Sequence, residues 1–189
     1  MNFKTLLSST ATAVLMAASL VAAEEECSTI AEIACGTEGF ETLCAAVTAT
    51  GLAETLSVLE YTVFAPTDDA FAKLPEGTVD TLLAEEGLVT LTDILLYHVV
   101  YGTVMAADLS CAGGAAGLVT MANGEETRTI CCHSCEPAEA IFQKGAGNPR
   151  LGDGSAADSQ DVWPQVVTTD IEACNGVIHV VNNVILPLL

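Results

Sequence analysis

An α+β fold is predicted for this chain by three observations. Apolar residues recur at helical spacing as far as Tyr101 and then fall into strand-like runs, and Asn123-Gly124 stands between two of those runs. Of the 189 residues, 51% are hydrophobic, which is enough for a sizeable core and too rich for a disordered acidic chain. The period changes once, so helices are expected in the N-terminal half and sheet in the C-terminal half of one domain.

The first 23 residues read as a secretory signal peptide. Lys4 supplies the positive region, the apolar stretch peaks from Ala11 to Ala18, and the small residues Val21-Ala22-Ala23 precede the acidic triplet Glu24-Glu25-Glu26. A membrane anchor fits less well, because Thr5, Ser8, Ser9, Thr10, Thr12 and Ser19 interrupt the segment and no basic stop-transfer cluster follows it. Residues 24–189 are then the single folded domain, secreted and without membrane insertion after cleavage.

Within that domain, Phe40, Leu43, Cys44 and Val47 mark an amphipathic helix that Gly51 terminates, followed by a short apolar repeat at Leu52, Leu56 and Leu59. Tyr61 to Ala65 reads as a buried strand stopped by Pro66. Thr67-Asp68-Asp69 is a turn and N-cap for a short helix carrying Phe71 and Leu74, ended by Pro75. Leu88, Leu91, Thr92, Leu95 and Val99 predict a helix from Leu88 to about Val99. Beyond Tyr101, Leu118–Met121 and Thr127–Cys131 flank Asn123-Gly124, which can supply the positive φ angles of a tight hairpin turn. Ala140–Phe142, Val166–Asp170 and Val177–Val181 are further strands, and 145–161 is a Gly-, Asp- and Ser-rich loop.

Charge removes whole classes of function. With 25 acidic residues against five basic ones, the formal charge of −20 leaves little to neutralise phosphates, which argues strongly against nucleic acid as a partner and disfavours anionic membrane surfaces. The acidity invites calcium, but Asp153, Asp158 and Asp161 do not follow the EF-hand spacing, so diffuse cation attraction and solubility explain it better. There is no GxSxG, HExxH, Walker or dinucleotide motif, and no catalytic residue or cofactor is assigned. Paired acids such as Glu85-Glu86 and Glu125-Glu126 read as solvated surface.

All eight cysteines, Cys27, Cys35, Cys44, Cys111, Cys131, Cys132, Cys135 and Cys174, follow the signal segment, and an even number in a secreted chain implies disulfides. Zinc at Cys131-Cys132-His133-Ser134-Cys135 is disfavoured, because donors so closely spaced cannot wrap a tetrahedral ion; no metal site is assigned. Cys132 and Cys135 form a CxxC but lack the βαβ context of a redox motif. Three cysteines precede the central helices and five follow them, so full pairing requires at least one bond between the groups. Such a bond stabilises by roughly 4 kcal/mol in the chain-entropy account. A local Cys111–Cys131 bond would bracket the hairpin.

Three motifs carry a family resemblance. Thr62-Val63-Phe64-Ala65-Pro66-Thr67-Asp68-Asp69-Ala70-Phe71, then Leu96-Tyr97-His98-Val99-Val100, then Asn175-Gly176-Val177-Ile178-His179-Val180-Val181 with Val184-Ile185-Leu186-Pro187, stand in the order of a fasciclin (FAS1) domain. The chain resembles that family over about 27–189, departing from it in cysteine density and in a loop insertion at about 132–163. The resemblance implies a FAS1-like fold, a helical N-terminal half packed on a β-wedge, in a secreted or cell-surface adhesion protein. It also implies partner-binding residues: Tyr97 and His98 match the family's integrin-associated motif, and Asp170 and Ile171 stand where its aspartate-isoleucine element lies.

The residues also have a plain physical reading. Val63-Phe64-Ala65 and Val177-Ile178 suit strands buried on both faces, and His98 and His179, among apolar neighbours, suit buried histidines with backbone partners. Two functions stay open: a non-enzymatic adhesion or matrix module that binds an extracellular protein or cell-surface polymer, and a secreted carrier of a small apolar ligand held between sheet and helices.

Overall fold

The computed structural model describes residues 27–109, 117–132, 140–148 and 163–188. The signal-peptide segment, His133, Cys111, Cys135 and Asp153, Asp158 and Asp161 lie outside the described residues, as do 133–139 and 149–162 of the expected insertion.

The helical half contains α1 (Ile30–Gly36), α2 (Glu41–Ala49), α3 (Leu52–Thr55), α4 (Asp68–Ala72), α5 (Thr78–Leu83) and α6 (Leu88–Leu96), with β1 (Tyr61–Pro66) threaded between α3 and α4. Then come β2 (Val99–Tyr101), β3 (Gly117–Thr120), β4 (Glu126–Cys132), β5 (Ala140–Lys144), β6 (Gln165–Ala173) and β7 (Gly176–Val181). Among the described residues the strands form one seven-stranded sheet in the order β2-β1-β7-β6-β5-β4-β3. β1 and β7 pair in parallel, from Tyr61 opposite Gly176 to Pro66 opposite Val181; the other neighbours are antiparallel.

The expected helix around Leu43 is α2, and Gly51 takes the left-handed φ of 71° that turns the chain into α3. Its N-terminus is capped from a distance: Glu41 N and Thr42 N donate to the two carboxylate oxygens of Asp68, at 3.2 and 2.8 Å. Thr67 caps α4 in turn by accepting from Ala70 N, so one Thr-Asp pair holds two helix starts. Two helices were not anticipated, α1 and α5. α1 has a sequence signal, the capping box Thr29-x-x-Glu32, in which each side chain accepts from the other residue's backbone N–H.

α6 is shorter than expected. It ends at Leu96, because Tyr97 caps it, the His98 Nδ1–H donates to the Ile94 carbonyl, and Val99 pairs with Val63 to open β2. The periodicity of Val99 is therefore satisfied in the sheet. Likewise α3 is a single turn, and Leu59, the last residue of its apolar repeat, is exposed. The hairpin at Asn123-Gly124 forms, with a different turn from the one expected. Only Gly124 has positive φ, 89°; Gly124 N donates to Met121 O and Met121 N to Glu125 O, the pattern of a type I turn closed by a glycine bulge. β5 lies inside the 132–163 stretch and bridges β4 and β6, so that stretch contributes a strand to the sheet.

Two cores result. Helices α1, α2, α3, α4 and α6 bury Ile30, Leu43, Val47, Phe71, Leu91, Ile94 and Leu95 against Val63, Ala65, Ile178 and Val180 on one face of β1 and β7. On the opposite face, Phe64, Tyr97, Val100, Met121, Val166, Val181 and Ile185 pack together, with Val119 and Ile141 at their margin. The sheet curls around this second core until its ends approach: Ala122 N, in the β3–β4 turn, donates to Val99 O of β2 at 2.7 Å.

Disulfides close the N-terminal region. Cys35–Cys44 joins α1 to α2, and Cys27–Cys174 ties the start of the described chain to the β6–β7 turn, across 147 residues. The second is the inter-group bond that cysteine parity requires, and its loop corresponds to about 5 kcal/mol of unfolded-chain entropy. Beside it, Asn175 accepts from Ile30 N at 2.9 Å and donates to Leu56 O, and Cys174 N donates to Ser28 O. Cys131 is also disulfide-bonded. Its expected partner, Cys111, lies outside the described residues.

Candidate functional site

Tyr97 and His98 sit at the junction of α6 and β2, inside the second core. Tyr97 is fully buried, and its hydroxyl donates to Glu126 O and accepts from Ala146 N, both at 3.0 Å. Burial, with the nearby Glu125 charge, pushes its phenol above the usual range. The His98 Nδ1–H donates to Ile94 O at 2.8 Å, and its Nε2 accepts from Ile185 N at 2.9 Å. Both nitrogens are committed to backbone, which fixes the neutral Nδ1–H tautomer, and burial lowers the pKa to about 4. Neither side chain reaches the surface. They join the helix end, the start of β4 and the C-terminal segment, whose Leu186 N and Val184 O are also held by Asn148.

Asp170 and Ile171 lie in β6, where the register with β7 shifts between Thr168 and Ile171. Asp170 occupies this bulge with φ of 56°, and among the described residues it is the one non-glycine with positive φ. Its Oδ1 accepts from Ala106 N at 2.8 Å, while its own N–H donates to His179 Nδ1 at 3.2 Å. The His179 Nε2–H then donates to Val104 O at 2.8 Å, so this imidazole is also neutral, its pKa lowered chiefly by burial. Thr62 completes the strap: its hydroxyl donates to Gly102 O and accepts from Val104 N, each at 2.8 Å. Asp170, His179 and Thr62 thus pin the segment 102–106 across β1, β7 and β6. Ile171 is partly buried against the helix-side core. Asp170 is half-buried, and the two pairs share no hydrogen-bond partner among the described residues.

With both imidazoles engaged, neither can act as a general base or metal ligand without breaking backbone bonds. Among the described residues no three His, Cys, Asp or Glu groups converge on a point that could hold a metal ion. Nor, among those residues, is any helix long and apolar enough to cross a membrane.

A surface feature that sequence reasoning missed lies on the outward side of β3–β5. Leu118 stands opposite Arg128, and Arg128 opposite Lys144, so the three side chains form a row across three strands. An open groove of about 700 Å³ runs over them, with Trp163 and Leu188 at its sides. The Trp163 ring meets Phe142 edge-on, with centroids 6.3 Å apart, and Lys144 Nζ stands 6.0 Å from the Trp163 centroid. The available signal was the alternation Glu126, Arg128, Ile130, which puts a cation on an outward face. Nothing local says that Lys144 and Trp163 join it. Behind the sheet, Gln143 bridges Thr127 and Thr129 at 3.0 and 2.7 Å, satisfying the polar residues of the inward face.

Comparison with known proteins places this geometry among relatives. The Fasciclin domain family model matches residues 38–187. The chain is 41% identical over 167 residues to protein sll1483 of Synechocystis, covering 88% of this chain and 77% of that protein. A shorter match, 43% over 74 residues and a third of each chain, is to the cell surface glycolipoprotein MPB83 of Mycobacterium bovis. In solved structures, the FAS1 domain pair of the insect cell adhesion molecule fasciclin I superposes with a TM-score of 0.57 at 14% identity, over 78% of this chain and 45% of that one. At that identity the likeness speaks for the fold.

Proposed function

Because the chain belongs to the fasciclin domain family, we propose that it is a secreted, non-enzymatic adhesion or matrix module that binds an extracellular protein or cell-surface polymer. The observation that carries this reading is the contrast, among the described residues, between a filled interior and an open outer face. A carrier of apolar ligands needs a chamber between helices and sheet. The void found among α2, α4, α5 and α6, lined by Phe71, Leu82 and Leu91, has about 10 Å³, room for at most about one water. The outward groove of β3–β5, at about 700 Å³, offers a contact surface instead. The neutral, backbone-bound histidines further support a binding role without catalysis.

In this reading Tyr97 and His98 support recognition by holding the β4 start and the C-terminal segment in place. Asp170, half-buried where Tyr97 and His98 are fully enclosed, acts through the 102–106 strap or by direct charge contact, with Ile171 anchoring the bulge beneath it. Asp170→Asn separates the last two, since asparagine tolerates the left-handed backbone and keeps an acceptor for Ala106 N. The test is binding of the purified protein to extracellular material, together with thermal unfolding. Binding that falls while the melting temperature holds places the charge at the contact. A protein that binds no cell or matrix preparation and copurifies with an apolar ligand overturns the module reading.

A further inference from the structure

We propose that the outward groove of β3–β5 is a binding site for a uronate-bearing polysaccharide, a partner class within the module reading, on which this inference rests. The first argument is charge. The chain has five basic residues against 25 acidic ones, yet Arg128 and Lys144 stand side by side in this one groove. Arg128 is exposed, and its guanidinium makes no hydrogen bond or ion pair among the described residues. A planar fork held on the middle strand of three, in a strongly negative protein, is a receptor for a carboxylate.

The second argument is the wall beside it. Trp163 is half-buried, meets buried Phe142 edge-on and lines the groove with its indole, with Leu118 and Ile130 supplying apolar floor. Such a surface suits the C–H face of a pyranose ring, drawn to the negative face of the indole. Glu126, also lining the groove, accepts hydrogen bonds from sugar hydroxyls.

The same features disfavour other occupants. A polysulfated or polyphosphorylated chain, with several charges per repeat, meets the field of a chain carrying −20 as well as Glu126 within the groove. A second copy brings the same negative charge. An acidic peptide satisfies Arg128 but offers the indole no rigid C–H face, and a neutral glycan leaves the guanidinium unused. A uronate-bearing chain, with one carboxylate per ring and apolar ring faces between, satisfies both halves of the groove.

Trp163 is the sole tryptophan of the chain, so its fluorescence reports occupancy directly. Titration of the purified protein with tetragalacturonate should give a saturable change in that signal. The fully methyl-esterified tetramer should bind at least about tenfold more weakly, the equivalent of one lost charge-assisted hydrogen bond. Arg128→Gln should weaken binding to the same extent while unfolding at the wild-type temperature, and Arg128→Lys should recover part of the loss. No fluorescence change with tetragalacturonate, equal binding of the ester, equal binding by Arg128→Gln, or tighter binding of a poly-glutamate peptide would each overturn the proposal. If the protein fails these titrations but still binds extracellular material, the groove assignment falls and the module reading stands. If it binds neither, both fall.

Discussion

The β1–β7 pair and the β3–β5 meander belong to one sheet, yet they are built on different rules. Every residue of β1 is buried, as are five of the six in β7, because helices cover one face and the second core covers the other. β3 alternates instead between half-buried and exposed residues, and Glu126 and Arg128 of β4 face outward between buried Thr127 and Thr129. A strand buried on both faces reads as a continuous apolar run, and one with a wet face reads as alternation. Two of the three family motifs fall on the first kind of strand, and the third lies at the buried junction of α6 and β2. The open recognition surface falls on the second, where no motif runs. In this protein the segments that identify the family are those least able to touch a partner.

The most severe way to break this contrast is to empty the buried strand. Phe64 is fully buried against His179, at 5.5 Å between centroids, and Phe64→Ala should cost about 3–5 kcal/mol. Denaturant unfolding measures it. A loss under 1 kcal/mol would mean that β1 is not packed on both faces.

Acid probes the same region through its histidines. The folded-state pKa of His98 is lowered from 6.5 to about 4, so the unfolded chain binds the proton more readily. Its contribution is intact above pH 6.5, declines as pH falls from there toward 4, and totals about 3 kcal/mol, an order-of-magnitude figure from the conversion of pKa shift to free energy. His179, shifted in the same direction, adds to this slope. Unfolding curves between pH 7 and 4 should show the decline, and His98→Gln, weaker at neutral pH, should show a shallower one. A slope unchanged by His98→Gln would assign the acid sensitivity elsewhere.

Asp68 sharpens the comparison at the helix layer that covers β1. Removing the carboxylate that caps α2 should cost about 1–2 kcal/mol in Asp68→Ala, with only part of it recovered in Asp68→Asn, whose amide keeps one of the two acceptor oxygens. Thermal unfolding of the two variants tests this. At the far end of the sheet, Leu118→Ala should change stability by less than about 0.5 kcal/mol, since Leu118 is 59% exposed. A larger loss would show that the outward face of β3 is covered.

How far the residue pattern leads depends on whether the decisive interaction is local. Helices α2 and α4, strand β1, the β3–β4 hairpin and both histidine environments are legible, because spacing, caps and turn residues act within a few positions of one another. The start of α1 was legible too, in its Thr29-x-x-Glu32 box, although apolar spacing did not reveal it. Val99 marks the limit: its helical spacing is real, but pairing with Val63 places it in β2.

Of the candidate site, the residues of the motifs could be named from their order along the chain. Their surroundings could not. Asp170 stands at the end of an expected strand in sequence and sits in a bulge, holding Ala106 N from 64 residues away. Arg128, Lys144 and Trp163 come together because three antiparallel strands set a register, and register depends on hydrogen bonds between segments far apart in the chain. Local steric preference and apolar period settle which segments are helices or strands, since their energies are confined to neighbouring residues. Which side chains share a surface is decided only when the sheet closes around its second core, because that step spends chain entropy to join distant strands and is repaid by burial common to all of them.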